Sequence, residues 1–113
     1  MPTETRIEHR YPAALAFVQQ HGPDTVAIVH DLLAHAERRG NRLVVEASVR
    51  QVADRLAFLS KDTVHRRLRQ LLRAGIIRRL PTKSTTTFAR PVYILDLAGT
   101  GISLSSPSGR HSA

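Results

Sequence analysis

Two helix start signals in close succession restrict the middle of this chain to a pair of short helices. Ser48 is followed three positions later by Gln51, the spacing of a capping box, in which each side chain satisfies a backbone N–H at the helix start. Ser60 is a second candidate N-cap, and Gly75 can take the left-handed conformation that ends many helices. The pattern therefore predicts one helix over 49–58 and another over about 61–74, joined by a tight turn.

Each of these helices has one apolar face, built from residues three or four positions apart. The apolar positions are Val49, Val52, Ala53 and Leu56 in the first helix and Val64, Leu68, Leu71 and Leu72 in the second. If these faces pack together, the opposite face of the second helix points outward. At about 100° per residue that outward face holds Asp62, Arg66, Arg69 and Arg73, with His65 and Gln70 beside them.

The flanking segments predict a small, mainly α domain over 11–97, with the element order α-α-β-α-α-β-β. Its first two helices run from Tyr11 to about residue 20 and from Asp24 to the last-turn residues 38–39, with Gly40 as C-cap. A strand follows at 42–47, and the strands at 76–80 and 88–97 form a hairpin. Residues 1–10 are expected to be a flexible arm, and the Gly/Ser-rich residues 98–113 a disordered tail.

The net charge is confined to one segment. Residues 61–90 carry nine lysines and arginines against the single acid Asp62, so this segment alone accounts for the formal charge of +8. A basic excess confined to one segment favours a polyanionic partner. Duplex DNA is favoured over single-stranded RNA because few aromatic residues are available to stack on unpaired bases.

Composition argues against several other classes of protein. The chain has no cysteine, which removes disulfides, thiol catalysis and thiolate metal sites. No apolar run approaches the roughly 20 residues of a membrane span.

His30 and His35 diverge around their helix, and Asp31 with His35 gives too few ligands for a metal. The sequence shows no nucleophile–base pattern and no phosphate-binding glycine loop, so we expect neither an enzyme nor a bound cofactor. The composition also favours a cytoplasmic location.

Residues 48–80 (SVRQVADRLAFLSKDTVHRRLRQLLRAGIIRRL) resemble a winged helix-turn-helix DNA-binding domain, closest in appearance to bacterial regulators of the GntR and MarR types. The resemblance extends over about 43–97. It implies that the helix over 61–74 is a recognition helix that enters the major groove, and that the loop at 81–87 belongs to the wing. Regulators of the GntR type carry a separate effector domain, for which this chain leaves no residues.

The resemblance assigns two groups of candidate DNA-binding residues. On the recognition helix and its cap they are Ser60, Lys61, Asp62, Thr63, His65, Arg66, Arg67, Arg69, Gln70 and Arg73. On the wing and along the DNA backbone they are Arg50, Arg78, Arg79, Lys83, Ser84, Thr85 and Arg90. Arginine can donate two hydrogen bonds to guanine, whereas hydroxyl groups and helix N-termini suit phosphates.

These patterns predict a sequence-specific, double-stranded DNA-binding protein, in the role of a small bacterial repressor that acts by occupying its site. Two alternatives stay open: an accessory factor for plasmid or phage replication, partition or conjugative transfer, and a winged-helix module that binds another protein. A homodimer through the helices at 11–39 or through the wing region is also open. The expected location is the nucleoid or a plasmid in the bacterial cytoplasm.

Overall fold

Three helices and antiparallel strands make up the computed structural model, which describes residues 6–81 and 91–105. In chain order the elements are β1 (Arg6–His9), α1 (Ala13–Ala34), β2 (Glu37–Arg39), β3 (Arg42–Glu46), α2 (Val49–Leu56), α3 (Lys61–Arg73), β4 (Ile77–Leu80), β5 (Val92–Leu95) and β6 (Ile102–Ser105). This architecture confirms the predicted fold class, a winged helix-turn-helix with a small β-hairpin. The described residues form six strands, whereas the predicted order α-α-β-α-α-β-β has three.

The two predicted N-terminal helices form the single, kinked element α1. Gly22 lies inside it with φ 87° and ψ 162°, far from helical values, and Pro23 follows without an N–H to donate. The predicted break was therefore correct, but the predicted end was wrong. α1 stops at Ala34, and the segment expected to form its last turn is the strand β2. Gly40, with φ 63°, begins the two-residue turn between β2 and β3 instead of capping a helix.

The central helix pair follows the sequence prediction closely. Ser48 and Gln51 form both hydrogen bonds of the capping box of α2, and the Ser60 side chain accepts from the Thr63 N–H at the start of α3. α2 is two residues shorter than predicted because Ala57 adopts a left-handed conformation with φ 65°. This early turn leaves Phe58 exposed between the two helices.

The core lies between the three helices and one face of a four-stranded sheet with the order β2-β3-β5-β4. All predicted apolar positions of α2 and α3 are buried or packed against this core. The largest fully buried side chains are Ile28, Leu32, Leu33, Leu71, Ile77, Val29, Val45, Val52, Val64 and Thr25. In the described ranges no helix has both the length and the apolar character needed to cross a bilayer.

Parts of the predicted flexible arm and disordered tail form strands. β1 and β6 form a two-stranded antiparallel sheet with Arg6 opposite Ser105 and His9 opposite Ile102. Ile102 is only 2% exposed and belongs to the core, which explains why these strands order together although each has little apolar surface alone. The domain therefore extends beyond 11–97 on both sides. Residues 1–5 and 106–113 of the predicted arm and tail lie outside the described residues.

Candidate nucleic-acid interface

One face of α3 is exposed along its whole length and carries Arg66, Arg69 and Arg73; we name it the arginine face. Burial of Val64, Leu68 and Leu71 fixes the rotation of the helix about its axis. The residues left exposed include Lys61, Asp62, His65, Arg66, Arg69 and Arg73, all of which the sequence predicted as candidate DNA contacts. A helix with side chains is about 10–12 Å across, close to the width of the DNA major groove of about 12 Å. The geometry therefore permits insertion of this face.

Three of the exposed guanidinium groups have no acidic partner among the residues that the structure describes. In the described ranges, Arg66, Arg69 and Arg73 make no ion pair, whereas Arg39, Arg55 and Arg67 each face an acid. Asp62 is the one acid on the same helix, and it lies in the first turn, where the helix dipole favours a negative charge. The remaining exposed length of α3 is cationic, as contact with a polyanion requires.

The start of α3 is fixed by hydroxyl groups that were predicted as phosphate contacts. Ser60 Oγ accepts from the Thr63 backbone N–H at 3.1 Å and donates to Thr63 Oγ1 at 3.0 Å. Arg66 Nη2 lies 3.5 Å from the same Thr63 oxygen, at the limit of a hydrogen bond. Ser60 thus acts first as the helix cap.

Arg67 and Gln70 lie on the flank of α3 that faces α1, away from the centre of the arginine face. Arg67 Nη1 donates to Gln70 Oε1 at 3.2 Å, and its Nη2 is 3.9 Å from Asp24 Oδ2. Arg67, one of the predicted DNA contacts on the recognition helix, is turned toward α1 in the structure. The position of Asp24 depends on the kink in α1, so spacing along α3 could not reveal this contact.

The other predicted contacts are divided between α2 and the hairpin. Arg50 is exposed in the first turn of α2, and Arg78 and Arg79 are exposed on β4. Leu80 pairs with Val92, so β4 and β5 are neighbours on either side of the segment that contains the predicted wing loop. The remaining wing candidates, Lys83, Ser84, Thr85 and Arg90, lie outside the described residues.

The histidines and acids considered for a metal site have structural partners. Asp31 binds Arg55, a contact that no sequence spacing indicated, and His35 Nδ1 bonds the Asp31 backbone carbonyl oxygen at 2.9 Å. His30 Nε2 lies 2.9 Å from Nε2 of His9 on β1. Within residues 6–81 and 91–105, no group of three or more His, Asp or Glu side chains is arranged to hold a metal ion.

Two of these contacts shift side-chain pKa values. The hydrogen bond that Arg55 donates to Asp31 raises the pKa of Arg55, against the opposing effect of burial. Burial lowers the pKa of His30 below 6.5, and the neighbouring His9 lowers it further. His30 is thereby kept neutral to lower pH, and Arg55 stays charged throughout the physiological range.

Residues 44–86, fewer than half of the 113 in the chain, match the model of the LexA DNA-binding domain. The matched range includes α2, β4 and α3, the helix that presents the arginine face. This match supports sequence-specific DNA binding by a helix-turn-helix domain, without favouring the GntR or MarR type. Searches of curated proteins and of solved structures give no significant match.

Proposed function

We propose that the chain is a small transcriptional repressor that inserts α3 into the major groove of a specific DNA site and acts by occupying it. The observation that carries this proposal is the exposed arginine face, whose Arg66, Arg69 and Arg73 have no acidic partner in the described parts of the chain. Arginine is the side chain best suited to guanine edges and to phosphates, so one face can serve both specificity and affinity.

The candidate contacts divide into two roles under this proposal. Arg66, near the capped end of α3, is assigned to base edges because the N-terminal residues of recognition helices reach furthest into the groove. Arg69, Arg73, Arg50 and the wing residues are assigned to phosphates on either side. Asp62 is placed to accept from cytosine N4 and to disfavour docking that brings a phosphate against it.

The test is selection of bound fragments from a random duplex library, followed by affinity measurements from low to high salt. We expect an enriched motif whose advantage over random DNA persists as salt rises, since base readout does not depend on counterion release. Binding without an enriched motif, lost steeply with salt, would reduce the arginine face to a non-specific electrostatic contact. A motif that overlaps promoters supports repression, whereas direct repeats near an origin favour the accessory role in replication or transfer.

We also propose that the protein dimerises through its N-terminal part. Tyr11 is 74% exposed and Leu15 is 49% exposed, and both lie at the start of α1. Both residues lie within the segment 11–39 that the sequence predicts as a dimer contact. Sedimentation of the wild type and of Leu15→Glu at several concentrations tests this; a wild type that stays monomeric on DNA contradicts it.

A further inference from the structure

A cavity of about 450 Å³ lies where the kink of α1 meets the second half of α3. We name it the kink cleft, and it is lined by Gln20, His21, Arg67, Gln70, Arg73 and Ala74. Gly22, at φ 87°, turns the chain directly after the two α1 residues that contribute to the lining. The break in α1 thus forms one wall of the cleft, and α3 forms the other.

The lining of the kink cleft is rich in hydrogen-bond donors and includes no carboxylate. Two of its side chains are guanidinium groups, two are amides and one is an imidazole. Asp24 approaches from outside the lining, and its 3.9 Å separation from Arg67 Nη2 is at the limit of an ion pair. The positive charge of Arg73 has no acidic partner in the described ranges.

Arg67 is incompletely satisfied in this environment. Its Nε is buried and has no hydrogen-bond partner among the described atoms, while its Nη1 donates to Gln70. A buried donor on a charged group is costly to leave unpaired, and the 29% of the Arg67 side chain that is exposed is the part that an acceptor in the cleft can reach. Guanidinium groups bind planar pairs of oxygen atoms on carboxylates and phosphates particularly well.

We propose that the kink cleft is a binding site for a phosphate-type oxyanion, with Arg67 as its principal ligand and Arg73, Gln20 and His21 as further donors. The phosphate can come from two sources. One is the DNA backbone, because Arg73 belongs both to the cleft and to the arginine face. The other is a free phosphorylated small molecule, which would then compete for Arg73 with DNA. The DNA source rests on the proposed function, whereas phosphate binding itself does not.

The first experiment titrates the full-length protein with inorganic phosphate, against sodium chloride at matched ionic strength, and follows backbone and arginine Nε–Hε signals by NMR. We expect saturable shifts at residues 20, 21, 67 and 70 and at Arg67 Nε. Arg67→Gln should weaken binding at least about tenfold, since hydrogen bonds to charged groups are the stronger class. Shifts that do not saturate, or that spread evenly over all arginines, would overturn the proposal.

Two further variants control for folding and for charge. Gln20→Ala alters the exposed α1 side of the cleft without touching the Arg67–Asp24 contact, and it should weaken phosphate binding severalfold in a folded protein. Arg38→Gln removes the same charge as Arg67→Gln from an exposed position on β2 outside the cleft. Equal losses in Arg38→Gln and Arg67→Gln would show that net charge, and not a site, attracts the anion.

The source of the phosphate is identified by the salt dependence of duplex binding. If the cleft holds a backbone phosphate, Arg67→Gln should reduce the slope of log affinity against log salt by about one. If it holds a free ligand, the slope should be unchanged, while inorganic phosphate still shifts the cleft signals. Saturable phosphate binding in a protein that does not bind DNA would refute the proposed function and leave the cleft proposal standing.

Discussion

Asp31 of α1 and Arg55 of α2 form a two-point ion pair that joins the N-terminal helix to the helix-turn-helix. Arg55 Nε donates to Asp31 Oδ1 at 2.9 Å, and Arg55 Nη2 donates to Oδ2 at 2.8 Å. The Asp31 side chain is only 7% exposed, whereas that of Arg55 is 27% exposed. The pair therefore places a carboxylate in a largely buried position, where loss of its partner has a large effect.

Arg55→Met should lower the free energy of unfolding by about 2–3 kcal/mol, because it keeps much of the side-chain packing but leaves the Asp31 carboxylate buried without its partner. Arg50→Met, an exposed position on the same helix, is the matched control and should change stability by less than about 0.5 kcal/mol. Urea unfolding at neutral pH measures both. Equally small losses of stability in Arg55→Met and Arg50→Met would show that water can hydrate the Asp31 carboxylate in place of Arg55 without cost.

Gly101 holds the terminal sheet against the start of α1 through close backbone packing. Its carbonyl oxygen accepts from the Arg10 N–H at 2.6 Å, and a Cβ at this position would lie 2.3 Å from the Ala14 nitrogen. Gly101→Ala should therefore destabilise by several kcal/mol, more than the roughly 1–2 kcal/mol of left-handed strain alone.

Gly99→Ala is the control for Gly101→Ala in the same unfolding assay. Gly99 has a similar positive φ of 82°, against 76° for Gly101, but a Cβ there meets nothing within 4 Å. Gly99→Ala should therefore lose only the roughly 1–2 kcal/mol of unfolding free energy that the left-handed strain costs. If both variants lose the same stability, the terminal sheet moves freely enough to accept the side chain and the close contact is unimportant.

The central helix pair was predictable because its signals are local. Both bonds of the capping box span three residues, between Ser48 and Gln51, and the Ser60 cap has the same short range. Each helix start is thus encoded within one turn of chain, and the spacing of apolar residues fixes which face is buried. The exposed face of α3 followed directly from these two facts.

Two of the missed features, the terminal sheet and the direction of Arg67, depend on partners distant in sequence. Strand β1 pairs with β6 at the opposite end of the chain, so neither strand is stable by its own composition. Gly40 is equally suited to a helix C-cap and to a hairpin turn, and pairing of β2 with β3 decides between them. The direction of Arg67 likewise depends on Asp24, beyond the kink of α1.

Ala57 is the one non-glycine residue with a positive φ in the part of the chain that the structure describes. A left-handed conformation costs an L-residue about 1–2 kcal/mol. Glycine avoids this strain but loses about 0.5–1 kcal/mol more conformational entropy on folding than alanine does. Ala57→Gly should therefore stabilise by about 0.5–1 kcal/mol and raise Tm. Ala74→Gly, at a cap with right-handed φ −78°, should not stabilise. A lower Tm for Ala57→Gly would contradict the assigned turn geometry.

Burial of His30, together with its contact with His9, should make stability depend on pH. The folded pKa of His30 lies below 6.5, so as pH falls from about 6.5 toward that value the unfolded state binds the proton first. Stability is therefore full above pH 6.5 and declines as pH falls through the folded pKa. His30→Gln should flatten this part of the pH profile of the urea midpoint. A profile in His30→Gln that stays as in the wild type would contradict this assignment.

Substitution of Arg66 tests whether the arginine face recognises base sequence or contributes only electrostatic attraction to DNA. Its side chain is exposed near the capped end of α3, with Nη2 close to Thr63 Oγ1, so its removal leaves the helix intact. Arg66→Ala should weaken binding to the selected site by about 1–3 kcal/mol and relax the preference at one base pair. Arg10→Ala, an exposed arginine far from α3 in sequence, should retain that preference. Equal weakening on specific and random duplexes would make Arg66 a phosphate contact and would move the base-reading role to another residue of α3.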